Sequence, residues 1–489
     1  MSTITTVKIP EVLKKGFSFD EAILVSEMCK RAYAIYQESF GSIDGKDILD
    51  SYNVTYKNED WVLVYPLRNF VRGIRAMILK RKSSHHYAIA FRGTVATQQG
   101  IIDITNFLAD FNSTLVDYGD LANLVDQRIK VIQGIYEDYK SIEQEILMFF
   151  KVLALGKIEP QDWELLRRDD LSFEQRVGTA VALSAAGGII FGTEFQSILS
   201  NLISQFIKDF QINPLKELGY FEDKAGEPFA NIVNFNSVVT QLENIKTPTF
   251  VINRQKKTII GRSLKHINVY VGGHSKGAGL ADFCALSVKR YLSTLPDLSH
   301  RLKSYKIGGI KVGNKAFSDY ANKTIGLDYS YRIENTLDFA LNIPFSPPFP
   351  LDILSKNGFR IGDFYLAEYH HLGTRYTITG QGSQGLNLDF GGALRLFGGI
   401  PFPHGFDTYI QLLKEQRENI RNLLRPFQGI LFEILSEMLA EQQENIVQAI
   451  KQYTSDVNED LSREISIVQE TLDNNSQDGE AEGSVTTSY

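Results

Sequence analysis

The sequence predicts an α/β fold built on a mostly parallel central sheet. Three observations carry that expectation. Short runs rich in β-branched and aromatic residues alternate with longer stretches whose apolar positions recur at three and four. One such run, Ile267 to Val271, passes through the glycine-rich turn Gly272-Gly273-His274-Ser275-Lys276-Gly277-Ala278-Gly279 into a helical pattern from Leu280 to Arg290. A later strand, Ser330 to Ile333, ends in the loop Glu334-Asn335-Thr336-Leu337-Asp338, at the strand end where α/β sheets present functional groups.

Taken in order, Phe17-Ser18-Phe19-Asp20 opens a helical pattern in which Ala22, Val25, Met28, Cys29, Ala32 and Tyr33 form one face, as a packing helix requires. Trp61 to Tyr65, Arg75 to Lys80 and Tyr87 to Phe91 read as strands, and the last stops at Arg92-Gly93-Thr94. Ser275 lies 141 positions beyond Gly134, far more than a helix and a strand need. The excess reads as a helical insertion, 146–265. Its most distinctive part is the uncharged run Val177 to Thr193, continued after Glu194 from Phe195 to Ile207. Seventeen residues with four glycines are short for a membrane span. The run is expected either to pack as a buried cap or lid, or to supply a peripheral membrane contact through Val177–Ile207. After the core, Phe406 to Arg425 reads as an amphipathic helix that Pro426 is expected to end or kink. A stripe from Ile446 to Leu472 on the extension 426–473 is suited to intramolecular docking or to self-association, and 474–489 lacks apolar periodicity and is expected to be disordered. The core is thereby assigned to 1–145 and 266–425.

Composition excludes several classes. With 489 residues and 43% hydrophobic content the chain can bury a large core. The net charge of −7 resides in the tail, since Asp456 to Tyr489 holds nine acidic residues against Arg463 alone. No basic patch with interleaved aromatics stands out, which argues against a nucleic-acid partner. The two cysteines, Cys29 and Cys284, cannot make a disulfide framework and read as core-facing free thiols of a reducing compartment. Met1 to Lys14 lacks the pattern of a cleaved signal, so a cytoplasmic protein, peripheral at a membrane if the insertion touches lipid, is expected. No histidine or cysteine pair has zinc-ligand spacing, so neither metal nor cofactor is expected.

The chemistry centres on Gly273-x-Ser275-x-Gly277. A serine on a sharp strand-to-helix turn needs minimal side chains two residues to either side, and the following helix N-terminus aims amides at a developing oxyanion. The amide of Lys276 is one oxyanion donor, and Thr94, after the strand-ending Gly93, is the other candidate. A serine nucleophile needs a histidine base and a carboxylate that orients it. In an α/β-hydrolase, which an elbow of this pattern would imply, both follow the serine in the chain; His300, His370, His371 and His404 are then the candidate bases, and Glu334 and Asp338, in the loop after Ser330 to Ile333, the candidate acids.

Four blocks resemble the class 3 lipases of the α/β-hydrolase superfamily. They are Ala90-Phe91-Arg92-Gly93-Thr94 with Asn106-Phe107-Leu108-Ala109-Asp110, then Gln133-Gly134-Ile135-Tyr136, then Gly273 to Ala281, then Gly309 to Phe317. Phe107 stands where that family usually has tryptophan, Gln133 where it has histidine, and Lys276 where it has leucine. The resemblance implies an α/β-hydrolase and selects Asp338 through Asp338-Phe339-Ala340-Leu341-Asn342-Ile343-Pro344, with Glu334 in reserve. It selects His404 through His404-Gly405-Phe406-Asp407-Thr408-Tyr409, in preference to His371. It implies a serine esterase or lipase acting on lipid acyl esters through an acyl-enzyme. An acyltransferase with the same triad, and a non-catalytic membrane- or partner-binding protein on the same scaffold, stay open. Lys276 is expected to reach a carboxylate of the cap or an anionic lipid head group.

Overall fold

Strands whose residues are buried on both faces need helices above and below them, and the central strands here are of that kind. The computed structural model describes residues 13–35, 60–69, 74–93, 114–119, 128–168, 170–211, 226–295, 297–338, 341, 359–361, 364–366, 369–379 and 405–439. Seven strands form the main sheet: β1 (Trp61–Asn69), β2 (Ile74–Arg81), β3 (His86–Phe91), β9 (His266–His274), β10 (Ser299–Ile307), β11 (Ser330–Asn335) and β14 (Thr374–Ile378), paired in that order. β1, β2 and β3 pair antiparallel, and from β3 onward every neighbour is parallel. Short ribbons complete the strands: β4 (Leu115–Asp117) with β5 (Lys130–Ile132), β6 (Lys157–Ile158) with β8 (Thr258–Ile260) and β7 (Val251–Asn253), and β12 (Phe359–Ile361) with β13 (Phe364–Leu366). The expected α/β class and mostly parallel sheet are observed.

Two helical layers cover the sheet. On one face lies α1 (Phe19–Ile35), whose expected packing side, Ala22, Val25, Met28, Cys29 and Ala32, is buried against β-sheet residues such as Met77, Ala88 and Tyr270. A buried polar clamp fixes it: the Glu21 carboxylate accepts hydrogen bonds from Tyr270 (2.9 Å) and Tyr305 (2.7 Å) and pairs with Lys303. A carboxylate withdrawn from water needs such donors. On the other face lie α2 (Gln133–Leu155), then α3 (Pro160–Leu165), α4 (Phe173–Phe191), α5 (Thr193–Gln211), α6 (Gly226–Ile232) and α7 (Phe235–Leu242), followed by α8 (Lys276–Ser293) and α9 (Lys315–Ile325). The last helix, α10 (Phe406–Leu439), returns to the first face and packs along α1, joined to it by Lys414–Glu27 (2.9 Å), Lys30–Asp407 and Arg417–Asp20 ion pairs.

Three expectations change. The boundary after residue 145 falls inside α2, which runs unbroken to Leu155. Helix α10 does not stop at Pro426 but continues to Leu439; a proline removes one hydrogen bond, a small part of those made by a 34-residue helix. Most apolar side chains of the stretch Val177–Ile207 face inward, with Val181, Ile189 and Ile198 half-buried. Val177, Leu183, Phe191, Phe195, Leu199, Ile203 and Phe206 are all buried, and the exposed positions of α5 are Thr193, Glu194, Gln196, Ser197, Asn201 and Gln205. Among the described residues no helix is long and apolar enough to cross a membrane. Both cysteines are buried and free, as expected. The stripe Ile446 to Leu472, the acidic tail and the Phe107 block lie outside the described residues.

Candidate active site

The parallel strands deliver their C-terminal ends to one edge, and Ser275 sits there directly after β9. Its backbone has φ 55° and ψ −125°, a conformation that an L-residue holds only when its surroundings enforce it. The enforcement is visible on both sides. A Cβ on Gly273 would lie 2.0 Å from the Gly277 carbonyl oxygen, and one on Gly277 would lie 2.7 Å from that of Arg92. The strand and helix therefore approach more closely than any larger residue permits, which is the spacing the sequence pattern anticipates. Ser275 N–H donates to the Ile307 carbonyl of β10 (3.1 Å), and Ala278 N–H donates to the Ser275 carbonyl (3.0 Å). The turn is thus tied to both the sheet and α8. The Ser275 Oγ is buried and makes no hydrogen bond with the described residues.

The end of β3 meets this turn. A Cβ on Gly93 would stand 2.5 Å from the His274 carbonyl oxygen and 3.2 Å from Ser275 Cβ. Gly93 therefore abuts the serine itself. Thr94, the next residue and the candidate oxyanion donor, lies outside the described residues. Lys276, the other candidate, is the first residue of α8, where the helix dipole presents positive charge. Its ammonium pairs with the Asp138 carboxylate of α2 at 2.6 Å. The carboxylate it reaches thus belongs to the helix that precedes the insertion, not to a cap.

Asp338 occupies the loop after β11, two strands from β9 at the same edge. It is 3% exposed, and its N–H closes a turn onto the Asn335 carbonyl (2.9 Å). The Tyr409 hydroxyl of α10 donates to Asp338 Oδ2 (2.7 Å) and accepts from Asn335 N–H (3.2 Å). Burial first, then the Asp338 carboxylate, keeps the Tyr409 phenol protonated well above its ordinary value. Sequence reasoning gave Tyr409 no role; its signal was the fixed interval after His404. His404 also lies outside the described residues. The residues that follow it are nonetheless anchored at the site: the Phe406 ring lies 4.1 Å from that of His274, and Tyr409 holds the acid loop. His274 Nδ1 in turn sits 3.3 Å from the Tyr33 hydroxyl of α1.

The rival candidates are accounted for by other partners. Glu334 pairs with Arg332 and Arg375. His371 Nε2 donates to the Leu341 carbonyl (2.9 Å), and burial, followed by Arg332 and Lys311, pushes its pKa down to about 3. An imidazole so fixed is a poor proton acceptor near neutral pH. His300 lies near the start of β10, at the edge opposite Ser275, with Ser293 and Lys289 beside its Nε2. His370 bridges to Gly313 through its backbone. Among the described residues no three His, Cys, Asp or Glu side chains gather as a metal site.

Residues 203–348 match the family described as Lipase (class 3). Among solved structures, Rhizomucor miehei lipase in its propeptide complex is 15% identical, with 84% of this chain and 90% of that one covered and a TM-score of 0.34. Lipase II from Rhizopus niveus is 12% identical, with 82% and 99% covered and a TM-score of 0.34. A triacylglycerol lipase from Penicillium expansum is 12% identical, with 82% and 98% covered and a TM-score of 0.36. No curated protein matches the chain. The matched span takes in both the Ser275 turn and the Asp338 loop, and over it this chain is similar to the class 3 lipases.

Proposed function

We propose that this chain is a serine hydrolase of the α/β-hydrolase fold that cleaves acyl ester bonds of lipids through an acyl-enzyme. The observation that carries the reading is the enforced backbone of Ser275, which holds a buried hydroxyl at the C-terminal edge of the parallel sheet. A protein bears that strain, of roughly 1–3 kcal/mol, where a functional geometry depends on it. In this reading Ser275 Oγ attacks the ester carbonyl carbon while His404 takes its proton. Asp338, buried and already oriented by Tyr409, fixes the imidazole and stabilises the imidazolium. The amides of Thr94 and Lys276 receive the oxyanion. The C–O bond to the alcohol then breaks, His404 returns the proton to the leaving oxygen, and water releases the acid by the same route. The similarity of residues 203–348 to the class 3 lipases supports a lipid ester as the substrate class.

A fluorophosphonate probe tests the reading, because it phosphonylates only an activated serine. Wild-type protein is expected to be labelled and Ser275→Ala to be blank; equal labelling of the two removes Ser275 from the role. Mass spectrometry of mixed membrane lipids incubated with wild-type protein, with Ser275→Ala as the blank, identifies the lipid consumed. Free fatty acid is the expected product, and acyl groups found on another alcohol instead assign a transferase.

A further inference from the structure

We infer that Asp138 and Lys276 act as a positioning pair that sets the oxyanion amide of residue 276. This rests on the serine-hydrolase reading above and adds to it a device on α2. The first turns of α2 and α8 lie against each other: a Cβ on Gly279 would stand 3.2 Å from a methyl of Ile135. Lys276 precedes Gly279 by three residues and Asp138 follows Ile135 by three, so each lies one turn along its helix on the same facing side. Lower down, the contact continues with Tyr139 stacked on Phe283 at 6.0 Å and with Ser287 donating to Glu143. The ion pair at 2.6 Å therefore belongs to a long helix–helix seam, one residue from the nucleophile.

Two physical facts make the pair more than a stabilising contact. A lysine at the first position of a helix meets the positive end of the dipole and is disfavoured there. Asp138, 9% exposed at its side chain, compensates that charge where solvent screens it poorly, Lys276 itself being 20% exposed. The second fact is geometric. An oxyanion donor works only if its N–H already points at the position the oxygen will occupy, and Lys276 belongs to the turn whose backbone is under strain. Tying its side chain to a helix pinned along the sheet fixes the rotation of the first turn of α8, and with it the amide. The bond to Asp138 also directs the ammonium towards α2, which argues against a lipid head group as its main partner.

The test uses the full chain and a soluble p-nitrophenyl ester. Asp138→Asn and Lys276→Met are each expected to lower kcat about tenfold or more while KM stays within about twofold, as for a group acting only in the transition state. A trifluoromethyl ketone, to whose carbonyl carbon the serine adds to leave an oxyanion, is expected to lose affinity by the same factor. The double variant should be no worse than either single one, and Lys276→Arg, which keeps the charge, should retain most of the activity. Melting curves identify any variant that fails to fold, and the other single variant then decides. Folded variants with unchanged kcat and unchanged ketone affinity overturn the proposal, as do losses that multiply in the double variant. Absence of fluorophosphonate labelling in wild-type protein is a separate result that removes the hydrolase reading and the pair's role with it.

Discussion

Ser275 holds φ 55° between two glycines that cannot be enlarged, so its backbone energy can be measured by substitution. Ser275→Ala removes the hydroxyl and keeps the strain, whereas Ser275→Gly removes both. Glycine gives back roughly 0.5–1 kcal/mol through the entropy of the unfolded chain, against strain of roughly 1–3 kcal/mol. Ser275→Gly is therefore expected to be about 1 kcal/mol more stable than Ser275→Ala in denaturant unfolding. A Ser275→Gly variant less stable than Ser275→Ala by the roughly 0.5–1 kcal/mol of glycine entropy alone would mean that the turn is relaxed and that the serine is not held for a purpose. At this scale the sequence was informative wherever sterics leave little choice. Gly273, Ser275 and Gly277 are legible because a side chain at either glycine would meet backbone oxygens at 2.0 or 2.7 Å. The partner of Lys276 was not legible, because a side chain of that length has many carboxylates within reach and only the crossing of α2 over α8 selects Asp138. Tyr409 was hidden for a related reason: a buried aromatic on a helix face reads as core until the acid beneath it is seen.

Elements show the same division and one pH-dependent consequence. Strands β1, β2, β3, β9 and β11 and helices α1 and α8 stand where periodicity puts them, since burying one face is a local requirement. The run of α10 past Pro426 was not legible, because a proline's cost is set against the whole helix rather than its neighbours. The segment leading into β14 carries His371, whose bond to the Leu341 carbonyl couples it to the acid loop. Its pKa is pushed down to about 3 by burial and the nearby cations, whereas in the unfolded chain it returns to about 6.5. Between those values the unfolded state binds the extra proton, so stability is lost as pH falls from about 6.5 towards 3, with a slope of at most about 1.4 kcal/mol per pH unit from this group. Melting temperature followed from pH 7 to 4 is expected to fall less steeply for His371→Gln than for wild-type protein. Parallel curves would show that the imidazole titrates normally and would return it to consideration as a base.

At the scale of the whole molecule, the described part of the insertion packs into the body of the protein. Its two ends are joined beneath the sheet: Gly261 N–H donates to the Gly156 carbonyl (2.7 Å) and Leu264 N–H to the Leu153 carbonyl (3.2 Å). From there α4 packs along α2 and β1, with Gly178 against Glu145 and the Tyr65 hydroxyl shared between them. Burial holds the Glu145 carboxyl well above its ordinary range, as expected for an acid that donates or accepts only inside the protein. Helix α2 shows the consequence most directly. A helix lying on a sheet with water outside buries one stripe, yet from Glu145 to Ala154 the residues Glu145, Ile146, Met148, Phe149, Phe150, Val152, Leu153 and Ala154 are all buried, and only the narrow stripe of Leu147, Lys151 and Leu155 is left half-buried. That largely apolar run was present in the sequence, but it reads equally as the start of a separate unit. Joining Gly156 to Leu264 by a short loop would uncover the outer side of α2 and remove the α4–α5 core, and each large apolar side chain so exposed costs about 1.5–3 kcal/mol. A handful of these matches the roughly 5–15 kcal/mol by which a domain is stable. The excised chain is therefore expected to aggregate or to bind a hydrophobic dye without a cooperative melt. A soluble excised chain that melts cooperatively and labels with fluorophosphonate like the wild type would instead make the insertion a separable lid.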